Sequence, residues 1–185
     1  MSKWLMSNCR SCPAGNKLKT KHSYRLNVSE ISLQEVTLAQ VEELSAVAYE
    51  VWRESYAGIV PREQVEYMLD KFQSPAALTE QIQAGYHYYF LIYDGKISGY
   101  AGIRQDPDCL FLSKLYVLAD FRERGIASYA VQEIAKMGRP IRLTVNRGNQ
   151  RAISAYKKIG FIAVKEQQAD IGEGFVMDDY IMELS

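Results

Sequence analysis

The chain has no apolar run near the roughly 18 to 20 residues that cross a bilayer as a helix, which excludes a helical membrane span. Its first residues also lack the long apolar segment of a secretory leader, so the expected location is the cytoplasm. Cysteine is scarce: Cys9, Cys12 and Cys109 are an odd set with no regular framework, which argues against a disulfide scaffold. Cys9 and Cys12 form a lone C-x-x-C, zinc needs four ligands, and the only histidines are His22 and His87, so no metal site is expected. Net charge is absent as well, at +0 overall, but it is unevenly spread. Residues 1–30 carry six Lys/Arg against Glu30 alone, which leaves the remainder at −5. A mildly acidic body offers no footprint for nucleic acid, which needs clustered positive charge; it is compatible with a cationic amine.

What is present suits one soluble domain: 185 residues, 48% of them apolar and 24% charged. Residues 1–28 mix Ser, Asn, Lys, Cys, Pro and Gly without periodicity and read as a flexible N-terminal extension, with the domain proper over 29–185. Ile31–Val36 alternates as a short strand, and Thr37 stands where a hydroxyl caps a helix. Leu38, Val41, Leu44, Val47, Ala48 and Val51 follow at helical spacing until Gly58 and Pro61 interrupt. Further helices are expected over about 62–72 and 75–84. Then the period changes. Tyr86–Tyr93 and Lys96–Arg104 are strands joined by an Asp94-Gly95 turn. Cys109–Val117 is a third, with Leu110, Leu112 and Lys114 on one face and Phe111, Ser113 and Leu115 on the other. A helix from Gly125 to about Gly138, a strand Ile141–Asn146, a helix capped by Asn149 and ended by Gly160, and strands Phe161–Gln168 and Phe175–Leu184 complete a mixed α/β order.

Two segments carry chemistry. In the first, Leu115 to Ala127, a buried strand runs into a tight loop with Arg122, Arg124 and Gly125, and a helix follows at once. Backbone N–H groups at a helix start are unsatisfied and attract phosphate. Gly125 lets the chain approach a diphosphate without a Cβ in the way, and the two arginines add charge. The same residues also fit an ordinary strand–turn–helix with solvated arginines. The G-x-G-x-x-G of a dinucleotide site and the G-K-[ST] of a P-loop are absent. The second segment is Asn149-Gln-Arg-Ala-Ile-Ser-Ala-Tyr-Lys-Lys-Ile-Gly-Phe161, in which Asn149, Ala152 and Tyr156 share or border one helix face.

Taken together the segments resemble the GCN5-related N-acetyltransferase (GNAT) family, over about residues 31–185. The family's acetyl-CoA loop, [QR]-x-x-G-x-[GA], is matched by Arg122, Gly125 and Ala127. Its later helix, N-x-x-A-x-x-x-Y-x-K-x-G-F, is matched by Asn149, Ala152, Tyr156, Lys158, Gly160 and Phe161. The resemblance implies an α/β fold with a mixed, mostly antiparallel sheet of about seven strands and about four helices. It implies acetyl-CoA as co-substrate, bound by exposed backbone groups of Leu115, Tyr116 and Val117 and by the amides of Glu123, Arg124, Gly125, Ile126, Ala127 and Ser128. Arg122 belongs to the same loop, and Asn149 meets the pantetheine arm. Tyr156 is implied as the acid that protonates the departing thiolate, a role a phenol can fill because the two groups are of similar basicity. On the residues alone, Tyr156 equally suits a helix aromatic packed beside Phe161.

The implied activity is direct transfer of an acetyl group to the primary amine of a small molecule, with Val117 N–H meeting charge on the carbonyl oxygen. Many family members carry a Glu as base on the strand before the loop; here Ser113 and Lys114 stand there. Glu54, Asp178 and Asp179 are the other carboxylates considered for that role. Trp52, Tyr56 and Tyr67, with Asp178 and Asp179, are the acceptor-site candidates, a set that suits an amine or polyamine; Trp52 and Tyr56, spaced i, i+4, also suit plain core packing. The stretches Trp52–Tyr56 and Asp170–Glu183 look like a bacterial branch of the family that includes polyamine acetyltransferases. Peptide N-terminal acetylation and a non-catalytic acyl-CoA-binding module are the rival readings, and the family allows a homodimer.

Overall fold

The computed structural model describes residues 30–185. The expected flexible extension and its Cys9/Cys12 pair lie outside the described residues. Seven strands form one sheet: β1 (Ile31–Glu35), β2 (Tyr86–Tyr93), β3 (Lys96–Gln105), β4 (Leu110–Val117), β5 (Ile141–Asn146), β6 (Ile162–Gly172) and β7 (Phe175–Leu184), in the order β1-β2-β3-β4-β5-β7-β6. Every neighbouring pair is antiparallel except β4 and β5. Among the described residues five α-helices accompany them: α1 (Val41–Tyr56), α2 (Arg62–Gln73), α3 (Pro75–Gln83), α4 (Ile126–Ala135) and α5 (Gln150–Ile159). None of the described helices is long and apolar enough to cross a membrane.

Alternation along the strands decides which helix goes where. Tyr88, Phe90 and Tyr100 point to one face and bury Leu44, Ala48, Val51, Met68 and Leu69 of α1 and α2 and Leu78 of α3. Leu91, Ala101, Ile103 and Leu112 point to the other and bury Ile126, Ala130, Val131 and Ile134 of α4, with Ile153 of α5 on the same side. The apolar face of each helix is thus removed from water by the sheet, the main favourable contribution to folding. Thr37 does open a helical segment, though in another way than expected. Its hydroxyl and N–H both donate to Gln40 Oε1, at 3.0 and 3.2 Å, over a short 3-10 turn (Leu38–Gln40) that leads into α1.

One irregularity and one divergence shape the centre of the sheet. On β4, Lys114 pairs with Gly102 while Leu112 pairs with Ile103, so Ser113 is an extra, unpaired residue. This is a β-bulge, and it shifts the side-chain phase of everything after it. The simple alternation expected for β4 therefore fails at Lys114 and Leu115. Leu115 lies with Leu110 and Leu112 toward α4, and Lys114 lies with Phe111, Ser113 and Tyr116 on the opposite side. Beyond the bulge, β4 also parts from β5. The parallel ladder holds only Leu110–Ile141 and Phe111–Arg142, although β4 runs on to Val117 and β5 to Asn146. The two strands then stay paired only on their outer sides, to β3 and to β7.

Candidate active site

The divergence leaves a wedge whose walls are the facing edges of two strands. From Leu112 onward the β4 backbone has no ladder partner toward β5, so the N–H and C=O groups on that edge have no strand to pair with, while those on the other edge stay in the ladder with β3. A cavity of about 690 Å³ fills the wedge on the α4 and α5 side, within the ordinary range for small-molecule sites. Leu115, Tyr116 and Val117 of β4 line it, together with Arg122, Glu123, Gly125, Ile126, Ala127 and Ser128 of the loop and helix start, and Asn149 and Tyr156. The two sequence segments, far apart in the chain, thus face one space.

The loop is built from backbone conformation. Glu123 and Gly125 both have positive φ, +63° and +78°. The left-handed region costs an L-residue about 1–2 kcal/mol and glycine almost nothing. Gly125 is the N-cap of α4 and provides no side-chain cap, which leaves the first-turn N–H groups open to a ligand. A Cβ at Gly125 would meet nothing within 4 Å, so the space before the helix start is clear.

The arginines behave differently from each other. Arg122 folds back, donating from Nε to the Val117 carbonyl at 3.0 Å and from its terminal nitrogen to Glu54 at 3.0 Å. It fixes the end of β4 against α1 and removes Glu54 from the roster of free carboxylates. The Arg124 guanidinium lies over the rings of Tyr93 and Phe121, at 5.2 and 5.8 Å, and does not line the cavity. At the start of α5, Asn149 Oδ1 accepts from Ala152 N–H at 3.1 Å, so its Nδ2 remains as a donor. Tyr156 packs its ring edge-on against Phe161 at 5.5 Å, as one of its two sequence readings expects, and also lines the cavity. Burial raises its hydroxyl above the ordinary phenol value, with Tyr56 adding to the effect. Tyr156 is therefore protonated at neutral pH and able to donate.

A second cavity, of about 560 Å³, approaches the wedge from the α1–α3 side. Trp52, Tyr56, Phe72, Tyr86, Phe111 and Tyr116 give it aromatic walls. Tyr56 and Tyr116 place their hydroxyls 3.3 Å apart, and Trp52 packs against both rings, at 5.2 and 5.5 Å. The indole N–H of Trp52 is spent in the core on Tyr100 at 2.7 Å, so only its ring is available here. Burial pushes Tyr56 up to about 12, the charge of Asp179 contributing as well. The two cavities share five wall residues: Tyr56, Ser113, Tyr116, Thr144 and Asn146.

The two aspartates of β7 are separated by the pleat. Asp178 turns toward Arg147, 3.5 Å away, and does not line the cavity. Asp179 points into it with 7% of its surface exposed, and its Oδ1 has no hydrogen-bond partner. Burial, then the neighbouring Asp178 charge, pushes the Asp179 carboxyl up to about 6. Tyr67 is elsewhere: its hydroxyl donates to the Ile171 carbonyl at 2.6 Å and ties α2 to the β6–β7 hairpin. Reading the sequence missed Lys71, Glu80 and Lys114 as cavity residues. For Lys114 the bulge hid the direction of the side chain; for the other two, exposed positions on a helix carry no local sign of what they face.

The fold agrees with what comparison finds. The Acetyltransferase (GNAT) family profile matches residues 46–161. The spermidine N(1)-acetyltransferase of Thermoplasma acidophilum is 27% identical over 158 residues, which cover 80% of this chain and 96% of that protein. A PaiA N-acetyltransferase of the same organism, solved in complex with coenzyme A, superposes with a TM-score of 0.69 at 26% identity, over 83% of this chain and 98% of that one. A GCN5-related N-acetyltransferase of Rhodopseudomonas palustris shares the fold, with a TM-score of 0.68 at 18% identity, over 83% and 94% of the two chains. The chain belongs to the GNAT family of acetyltransferases, N-acyltransferases that use acetyl-CoA as the acyl donor.

Proposed function

We propose that the chain transfers an acetyl group to the primary amine of a small molecule, with the donor in the α4/α5-side cavity and the acceptor in the α1–α3-side cavity. The observation that carries this reading is the wall the two cavities share where β4 and β5 part. Two reactants entering from opposite faces meet there without crossing, and holding them in register removes much of the entropic cost of reaction.

The donor site offers coenzyme A a cavity of small-molecule size beside an unpaired strand edge and an open helix start. In this reading the stretch Leu115, Tyr116 and Val117 offers the pantetheine arm the backbone groups of its β5-facing edge that neither β3 nor Arg122 takes, and Asn149 Nδ2 reaches it from across the wedge. The amides from Glu123 to Ser128 take the diphosphate at the positive end of the α4 dipole. The guanidinium of Arg124 is left out of this set, since it is committed to Tyr93 and Phe121. Acetyl-CoA, when bound, supplies the activated acyl carbon. The chain's own residues then move protons: Asp179 accepts one from the acceptor ammonium, and Tyr156 donates one to the sulfur. The Val117 N–H is placed to stabilise charge on the acyl oxygen. Asp179 stands in for the carboxylate that β4 lacks at Ser113 and Lys114, which weakens the case for a module that binds without turnover.

The acceptor class rests on chemistry and on one relative. Polyamines enter as candidates because the Thermoplasma acidophilum relative is a spermidine acetyltransferase and because Asp179 offers a buried carboxylate to an ammonium. A peptide acceptor finds less support, since the cavity is of small-molecule volume. The same reading takes the protein to be cytoplasmic and to need no metal. The test is CoA release from acetyl-CoA across a panel of small amines, polyamines and short peptides. Turnover with small amines and none with peptides is expected; the reverse pattern, or tight acetyl-CoA binding with no release on any amine, overturns the reading.

A further inference from the structure

Of the charged groups of the acceptor cavity that the mechanism above leaves without a task, Lys114 is the least exposed. The bulge at Ser113 turns it out of the phase of Leu110 and Leu112 and into the cavity. Its side chain is half-buried there. Its one hydrogen bond goes to the adjacent Ser113 hydroxyl, at 2.7 Å. Among the described residues no carboxylate lies within ion-pair distance of it, whereas Arg53, Arg104, Arg122, Arg142 and Arg147 all have one. An ammonium has three donors, so two remain unassigned. Desolvation pushes Lys114 down to about 8, which still leaves it mostly charged at neutral pH. A desolvated charge with no protein partner is costly, and in a ligand cavity the natural partner is the ligand.

The charges of the cavity sort by depth. Lys71 and Glu80 lie at exposed positions, and Lys71 Nζ already donates to the Tyr67 hydroxyl at 2.9 Å and to the Ile171 carbonyl at 2.6 Å. The less exposed charges are Lys114 and Asp179, one of each sign. A polycation gains from Asp179 but meets repulsion from Lys114. A zwitterion satisfies both.

Resting on the acyl-transfer reading above, we propose that the acceptor is a small amine that also carries a carboxylate, an amino acid or an amino-acid-like zwitterion, and that Lys114 holds its carboxylate while Asp179 faces its ammonium. The N–C bond forms as the thioester C–S bond breaks. The nitrogen gives up two protons in all: one leaves through Asp179 to solvent, and one ends on the sulfur by way of the Tyr156 hydroxyl. The products are an N-acetyl amino acid and free CoA.

The experiment uses pairs of acceptors that differ only by the carboxylate: L-ornithine against 1,4-diaminobutane, L-lysine against 1,5-diaminopentane, and L-phenylalanine against 2-phenylethylamine. With the whole chain and saturating acetyl-CoA, kcat/KM is read as CoA release. The carboxylate-bearing member is expected to be favoured by about tenfold or more in at least one pair, the worth of one charge-assisted hydrogen bond. Lys114→Met is expected to bring that ratio to within about twofold, through a rise in KM of the amino acid, and Lys114→Arg to retain most of it. Preference for the diamine or arylamine in every pair overturns the proposal and leaves the small-amine reading standing. An unchanged ratio in Lys114→Met overturns the role of Lys114. No turnover on any amine, with acetyl-CoA binding intact, overturns the acyl-transfer reading and this proposal with it.

Discussion

The two cavities that meet at the β4–β5 gap are made in opposite ways. The donor side is mostly backbone: an unpaired strand edge, two left-handed residues in a loop, the open start of α4 and the cap of α5. The acceptor side is side chains drawn from α1, α2, α3, β2, β4, β5 and β7, and beyond the Trp52 and Tyr56 pair of α1 they follow no local pattern. A cradle of main chain recognises what every member of a family binds, and it needs few residue types. A pocket of side chains is where one member differs from another. The contrast teaches that substitutions on the first side should switch binding off, while those on the second should redirect or slow the reaction.

The largest effect is expected at the backbone cradle. Gly125→Glu forces a left-handed φ on an L-residue and places a carboxylate before the α4 N-terminus, where the diphosphate goes. Acetyl-CoA affinity by calorimetry is expected to fall by about a hundredfold or more; unchanged affinity would remove the loop from the donor site. Next comes Tyr156→Phe, at the junction. It keeps the packing against Phe161 and loses only the hydroxyl. Turnover is expected to drop by roughly 100-fold, the low end for a general acid, with acetyl-CoA affinity changed less than about threefold. Equal activity in the two proteins takes Tyr156 out of the chemistry and leaves it a packing residue.

Asp179 sharpens the comparison through pH. As proton acceptor it must be ionised, so wild-type turnover should rise as pH passes through about 6. Asp179→Asn should lose both the rate and that acidic limb. Stability should move the other way. Folding raises this carboxyl from its ordinary value, so its contribution is complete below about pH 4 and is lost as pH rises through about 6. Above that, the unpaired charge costs on the order of 1 to 3 kcal/mol, allowing for solvent at the cavity. Asp179→Asn should therefore melt higher than wild type at pH 8 and about equally at pH 4. A lower melting point at pH 8 would mean that Asp179 is held by a partner and serves structure.

Much of the donor side was legible because it is local. The bounds of β2, β5 and β7 follow from alternation and turn residues, and Gly125, Asn149 and Tyr156 sit in short spacings that any helix start or helix face preserves. What sequence could not convey is long-range. The bulge at Ser113 depends on which β3 residue faces Lys114, and Leu-Ser-Lys-Leu reads as regular alternation without it. The aspartates looked like a pair until the pleat sent Asp178 to Arg147 and Asp179 to the cavity. The two arginines of the loop read as phosphate ligands, and only tertiary structure turns one toward Val117 and Glu54 and the other onto Tyr93 and Phe121. The last part of β6 was hidden for another reason: Ala169 to Gly172 lie on an edge strand, mix apolar and polar residues and end in glycine, which reads as a turn rather than a strand.

The most direct measurement is a titration of the whole chain with acetyl-CoA, followed by calorimetry. A cradle at the parting of β4 and β5 predicts one saturable site per chain, with dissociation well below millimolar and weakened by added salt, as phosphate recognition requires. No saturable heat up to millimolar acetyl-CoA would contradict the account at its base.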